Sequence, residues 1–490
     1  MKTDQYPKII QGGMGVAVSD WRLARAVSME GQLGVVSGTA LDVVLARRLQ
    51  LGDRDGHLRQ ALSMFPFEEM AKRVLDRYFI EGGKAADAPF KSISLLSNEP
   101  TQAQLELLVV ANFVEVYLAK EDHDGLVGVN LLEKIQLPTL PSLFGAMLAG
   151  VDYVLMGAGI PRHIPEVLDL LAAGEPVEMA LNVDGADSND VFVTRFNPNQ
   201  FTGGRLPWLT RPKFLAIVAS ATLAAMLAKK SKGKVDGFVV EGHTAGGHNA
   251  SPRGALQTNS RGEPIYGKRD EVDLEAFRQL ALPFWLAGSY GTPKKIAEAI
   301  ANGASGVQIG TAFAFCEESG MSAAIKRKAI QMSRMGTTDV FTDPLASPTG
   351  FPFKVLQLEG SLSVPSVYEQ RKRVCDLGYL RHGYKKEDGG LGWRCPGEPV
   401  DRYTNKGGQI EESTGRKCVC NGLMANIDLA QVRKQSGEED MIITCGEEAA
   451  EIHKFLNDPA ATSYSAHQVL EYLLSEPTIS QLPMAVMDHD

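Results

Sequence analysis

Short apolar runs of strand length recur along the chain at 8–11, 33–37, 127–132, 151–156, 214–219, 236–241, 283–287 and 305–309. Most are apolar at successive positions rather than alternate ones, the pattern of strands covered on both faces. Between them lie segments with clear helix punctuation. Asp20 opens WRLARAVSMEG, which closes at Gly31; Thr139 opens LPSLFGAMLAG, which closes at Gly150. Thr292 and Pro293 open KKIAEAIANG with an N-cap, a proline at the first helical position and Gly303 as the stop. Each run is followed sooner or later by such a segment, which argues for a parallel sheet. Eight units predict an α/β protein built on a (β/α)₈ barrel, the TIM-barrel architecture.

Two further runs compete for a place in the barrel. Residues 93–96 also read as a strand, and 113–118 read as a strand or as the end of a helix beginning near Thr101. The favoured arrangement makes 64–126 an insertion of mainly helical segments and 127–132 the third strand; the alternative puts the third strand at 93–96. VEMALNV and DVFVTRF, separated by GADSND, predict an inserted hairpin within 176–212. The Gly-, Pro-, Arg- and Asn-rich stretch 249–272 reads as a long loop or lid. From about residue 340 the alternation stops. The expected organisation is a barrel over 1–339 and a cysteine-bearing extension over 340–490 that covers the barrel mouth, shapes the substrate pocket or mediates assembly.

Composition narrows the function classes. At about 150 residues per domain, 490 residues allow about three domains, and the barrel absorbs most of them. Fifty Lys and Arg against 59 Asp and Glu leave a net charge of −9, which argues against a nucleic-acid partner. The most apolar stretch, 214–228, is too short for a membrane span and reads as a strand followed by a helix. The start MKTDQYPKIIQGG has no apolar signal-peptide core. Six cysteines are sparse and are expected to be reduced thiols, so the expected location is cytoplasmic.

The chemistry concentrates at predicted strand ends. DGFVVEGHTAGGHN (236–249) ends a β-branched run in Gly246, Gly247 and His248, at the barrel face where active sites lie. Bare backbone there accommodates a planar ligand, although a simple tight turn with His248 on a backbone carbonyl would look the same. LAGSYGTP (286–293) and GVQIGTAF (306–313) follow the seventh and eighth predicted strands, where barrels commonly bind phosphate. The backbone amides of Gly288, Ser289, Gly310 and Thr311 are the candidate anion donors; the plain alternative is structural glycine. IIQGGMG (9–15) ends the first strand. Cys375, Cys395, Cys418 and Cys420 form a separate group that could hold zinc or an iron–sulfur cluster. Their spacing lacks the usual CxxC pair, so packed thiols without metal are the expected reading.

In this order the motifs IIQGGMG, GVNL (128–131), AGGH (245–248), LAGSYG and VQIGT resemble the FMN-dependent nitronate monooxygenase family, over roughly residues 6–335. That family, once called 2-nitropropane dioxygenases, includes FMN-dependent enoyl-acyl carrier protein reductases and the enoyl reductases of polyunsaturated fatty acid and polyketide synthases. The resemblance implies a flavin ring over Gly12, Gly13 and Met14, with Gln11 and Asn130 as polar contacts. It implies phosphate on the amides of Gly288, Ser289, Gly310 and Thr311 with Gln308 alongside, and Gly246 and Gly247 against the flavin. His248 would face the substrate with a pKa near neutrality. Two positions depart from the pattern: Thr244 stands where the family usually carries Glu, and Ser289 replaces a second glycine.

The implied activity is oxidation of alkyl nitronates with O₂. The alternative is an enoyl-thioester reductase drawing on NAD(P)H, with acyl carrier protein as a partner. A non-catalytic scaffold ranks last, because the AGGH and VQIGT motifs are intact.

Overall fold

The computed structural model describes residues 6–476. Eight parallel strands form one sheet: β1 (Ile9–Gln11), β2 (Gly34–Ser37), β3 (Val127–Leu132), β4 (Tyr153–Gly157), β5 (Lys213–Val218), β6 (Gly237–Glu241), β7 (Phe284–Ala287) and β8 (Gly306–Ile309). The strand order is β1-β8-β7-β6-β5-β4-β3-β2, and a parallel bridge from Ile10 to Leu33 joins the two ends. Backbone bonds from Gln11 N to Leu33 O (2.9 Å) and from Leu33 N to Ile9 O (3.1 Å) complete the closure. The protein is a (β/α)₈ barrel.

The doubly apolar strands follow from this closure. Ile10, Val35, Leu155, Leu215, Val239 and Trp285 point inward and form a compact buried cluster of their own. Their neighbours Ile9, Val36, Val154, Phe214, Phe238 and Leu286 point outward into the larger core under the helices. With a side-chain period of two, both sets must be apolar. The Trp285 indole, fully buried, donates to the Pro7 carbonyl at 2.8 Å.

The third strand is 127–132, and 93–96 forms no strand. Residues 113–118 lie inside the helix Gln102–Lys120, whose start is fixed by a Thr101–Gln104 capping box. That helix packs between Trp21–Met29 and Thr139–Leu148, so the end of the expected insertion is the barrel's own crossover helix. It is buried on most of its faces, which explains why its sequence lacks a single apolar stripe. Asp20 and Thr292 cap their helices as expected. Thr139 does not: Pro138 precedes the helix, and the Thr139 hydroxyl donates back to Ile135 O at 2.8 Å from inside the first turn.

Val177–Ala180 and Val193–Phe196 pair as the expected antiparallel hairpin. Residues 249–272 carry an isolated antiparallel bridge between Thr258 and Pro264 and the short 3₁₀ turn Lys268–Asp270. The extension contributes an antiparallel pair, β9 (Val340–Asp343) and β10 (Phe353–Leu356). Its strand His382–Lys385 pairs both with Leu391–Arg394 and with Val183–Asp184 beside the hairpin. Extension side chains such as Val355, Met424, Ile442 and Phe455 share one buried core with the barrel helices. Polar ties cross the same boundary. The buried Arg47 guanidinium donates to Leu429 O at 2.6 Å, and the Tyr379 hydroxyl donates to the buried Asp42 carboxyl. Among the described residues no helix is long and apolar enough to cross a membrane.

Candidate active site

The carboxyl ends of the strands open into a cleft of about 1520 Å³, counting the space at its mouth. Gly12, Gly13 and Met14 line it beyond β1, Asn130 from β3, and Gly246, Gly247 and His248 beyond β6. Gly288 and Ser289 follow β7, and Gln308, Gly310 and Thr311 come from the end of β8. These are the residues expected from the sequence, brought together from segments up to about 300 positions apart by the barrel geometry.

Gln11 is the exception. It is fully buried and does not line the cleft; its Nε2 donates to Gly12 O (2.6 Å) and Ser19 Oγ (2.9 Å), and its Oε1 accepts from Val35 N (3.0 Å). At the end of a three-residue strand the carboxamide is consumed in fixing the turn into the glycine loop rather than offered to a ligand.

Gln308 behaves oppositely. Its Oε1 is buried and has no hydrogen-bond partner, and a buried carbonyl left unpaired is costly. The glycine loop packs directly against it and against β3: a Cβ on Gly12 would stand 3.3 Å from the Gln308 side chain and one on Gly13 2.4 Å from Asn130 Cβ, which the β3 backbone holds in place. A flat ligand with a polar edge fits this pairing of cleft-lining glycines and orphaned acceptor.

The turn after β7 has two residues in the left-handed region, Gly288 (φ +99°) and Ser289 (φ +60°). That conformation explains why glycine is the usual residue at the second position, and it turns successive amides to one side. Glu448 of the extension reaches this turn, its carboxylate accepting from Gly291 N at 2.5 Å, and burial raises its pKa. Among the described lining residues there are two carboxylates, Glu241 and Glu448, and no lysine or arginine. An anion in the cleft is therefore left to backbone amides.

His248 lines the cleft with its Nε2 against Ser347 Oγ at 2.6 Å and its ring against Phe353 at 4.7 Å between centroids. Enclosure by protein pushes the imidazole pKa down to about 4. The expectation of a near-neutral pKa is thus corrected: no carboxylate partners the ring, and desolvation alone acts on it. Glu241 ends β6, and burial without a compensating charge pushes its pKa up to about 8. A carboxyl group therefore reaches the cleft although Thr244 lacks one. The strand's own alternation carried that signal, since Glu241 is two residues beyond the inward-facing Val239.

The extension supplies what no motif announced. Gly247 N donates to Thr444 Oγ1 (3.0 Å), Lys354 N to Gly247 O (3.0 Å), Asn249 N to Pro352 O (2.9 Å) and Gly446 N to Thr311 Oγ1 (2.8 Å). Leu377, Tyr379, Leu380, Val419 and Leu423 add an apolar wall. Ser347 lies 99 positions from the histidine it holds, so nothing local in the sequence could reveal the pair.

Residues 186–344 match the family model described as nitronate monooxygenase, a stretch that includes the AGGH segment, the turn after β7 and the end of β8. A "Probable nitronate monooxygenase" of Staphylococcus haemolyticus is 30% identical over 176 residues, 34% of this chain. The chain thus spans about half the length of that curated relative (48%). Solved structures with similarity along most of the chain include FabK from Thermotoga maritima (16% identity, TM-score 0.46, 96% of this chain and 92% of that one). Nitroalkane oxidase from Streptomyces ansochromogenes is another (16% identity, TM-score 0.43, 96% of each chain).

Proposed function

We propose that the chain is an FMN-dependent oxidoreductase that oxidises alkyl nitronates with O₂. The observation that carries the flavin assignment is the orphaned Gln308 Oε1 beside the cleft-lining glycines Gly12 and Gly13. Gly12, Gly13, Met14, Asn130, Gly246 and Gly247 would bound the ring with Gln308 at its polar edge, and the amides of Gly288, Ser289, Gly310 and Thr311 would hold the phosphate. Electron transfer from substrate to O₂ is the chemistry that bound FMN supplies.

The residues of the chain then bind and orient. Ser347 pins one nitrogen of the His248 ring, leaving the other for the substrate. An imidazole with a pKa of about 4 is a poor base for a carbon acid. The substrate must therefore arrive as the preformed nitronate rather than as the neutral nitroalkane. The similarity to a relative named as a nitronate monooxygenase supports the same substrate. Six unpaired cysteines support a reducing compartment, the cytoplasm.

A second reading rests on Glu241. With a pKa of about 8 it keeps its proton at neutral pH and could deliver it to a carbanion formed when an enoyl thioester is reduced with NAD(P)H. Acyl carrier protein would then be the substrate's carrier. Anaerobic mixing separates the two. Flavin absorbance bleached by an alkyl nitronate and not by NAD(P)H is the expected result; bleaching by NAD(P)H alone would overturn the nitronate reading in favour of the reductase.

A further inference from the structure

The extension sets a carboxylate of its own on the turn after β7, one of the two segments whose amides are candidates for the cofactor's phosphate. Its 3₁₀ segment Glu447–Phe455 packs against Thr311–Ala314, the short helix that follows β8. The entry to that segment is tied to the barrel twice: Gly446 N donates to Thr311 Oγ1 at 2.8 Å, and Glu447 N to Thr244 O at 3.4 Å. One residue further on, Glu448 reaches across to the β7 turn and accepts from Gly291 N at 2.5 Å. The fit is close, because a Cβ on Gly291 would stand 2.6 Å from Glu448 Oε1 and 3.0 Å from Oε2. Glu448 thereby lines the cleft in company with Gly288, Ser289, Gly310 and Thr311.

The β7 turn is shaped for negative charge. Gly288 and Ser289 lie in the left-handed region and turn successive amides to one side, and the helix Pro293–Ala301 begins just beyond them with its positive end. In the protein without ligand, the acid this turn meets is Glu448. A phosphate brought to the same group of amides sets a second negative charge beside the first. Among the described lining residues no lysine or arginine offsets the pair. The charged groups acting on Glu448 are Lys454 and Glu451 of its own segment, which are opposite in sign. Neither the turn 288–292 nor Thr311–Ala314 carries a charged side chain. Burial already works against the charged form of Glu448, with the Gly291 amide opposing it. A neighbouring phosphate would act in the same direction as burial, so the two anions compete for the site.

We propose that Glu448 is a specificity-determining residue, which limits the affinity of the cleft for a phosphorylated flavin by presenting a carboxylate to the turn that would receive the phosphate. The inference rests on the FMN reading and deepens it. The barrel motifs supply the amides, and the extension sets how strongly a phosphorylated ligand is preferred over an unphosphorylated one. A residue that only anchored the extension to Gly291 would not distinguish the two ligands.

The test titrates the full chain, stripped of flavin, with FMN and with riboflavin, which differ only in the phosphate, and follows quenching of flavin fluorescence. Glu448→Gln keeps the size of the side chain and an acceptor for Gly291 N while removing the charge. Its Kd for FMN should be about tenfold tighter than that of wild type, and its Kd for riboflavin should stay within about twofold. Glu448→Ala, which also gives up the Gly291 contact, should show the same gain for FMN alone. An unchanged ratio of FMN to riboflavin affinity, weaker FMN binding, or failure of both variants to fold would overturn the proposal and make Glu448 an anchor of the extension. Wild-type protein that binds neither flavin would instead overturn the FMN reading on which the proposal rests.

Discussion

Gln308→Leu separates a binding role from a structural one by the sign of its effects. In the protein without ligand, Oε1 is buried and unpaired, a condition that costs about 1–3 kcal/mol. Leucine removes that acceptor at nearly the same volume, so the flavin-free variant should be more stable than wild type by about 1–2 kcal/mol in urea unfolding. With flavin present, the hydrogen bond offered by the carboxamide is lost, a net loss of about 0.5–1.5 kcal/mol. That corresponds to a Kd for FMN about 2- to 13-fold weaker, read by quenching of flavin fluorescence during titration of the stripped protein. Stability and affinity should therefore move in opposite directions. A flavin-free variant that is less stable than wild type, yet binds FMN equally well, would refute the assignment of Gln308 to the cofactor and make it a packing residue.

Other positions give independent checks. Ser289→Gly should stabilise the protein by about 1 kcal/mol, because an L-residue at φ +60° is strained, and should leave flavin content unchanged; equal or lower stability in thermal melts would contradict the strain argument. Glu241, protonated up to about pH 8 when folded but ionised far lower when unfolded, should lower stability as pH rises from about 4.5 to about 8. Glu241→Gln should flatten that slope in unfolding measured across the range, and an unchanged slope would show that Glu241 is ionised in the folded protein. Tyr379→Phe deprives the buried Asp42 of its donor and should cost about 1–3 kcal/mol in urea unfolding. A loss within error would mean that this tie does not anchor the extension. Activity should show no break near pH 6.5 from His248, whose pKa burial lowers to about 4; a break there would show a solvated imidazole.

The barrel was legible because closure imposes a local signature. Every strand must be apolar on two faces, as Leu215 inward and Phe214 outward are, and helix caps such as Asp20 and Thr292 mark where each crossover begins. The cleft-lining glycines and Gln308 were legible because strand ends are where a barrel exposes backbone. Gln11 misled because position along a strand does not reveal whether a carboxamide is spent internally. His248 misled on its charge state because enclosure depends on Phe353 and Ser347, which arrive from a segment with no periodic pattern. The cysteines Cys375, Cys395, Cys418 and Cys420 were visible as residues, but that they line one small cavity depends on turns between short elements that carry no spacing rule.

The central claim is that the glycine-lined cleft holds FMN. It is tested most directly by denaturing freshly purified protein and identifying the released chromophore by chromatography and mass. About one FMN per chain, or uptake of added FMN to that level by protein that lost it during purification, is the predicted result. Protein that carries no flavin and takes up none would contradict the account.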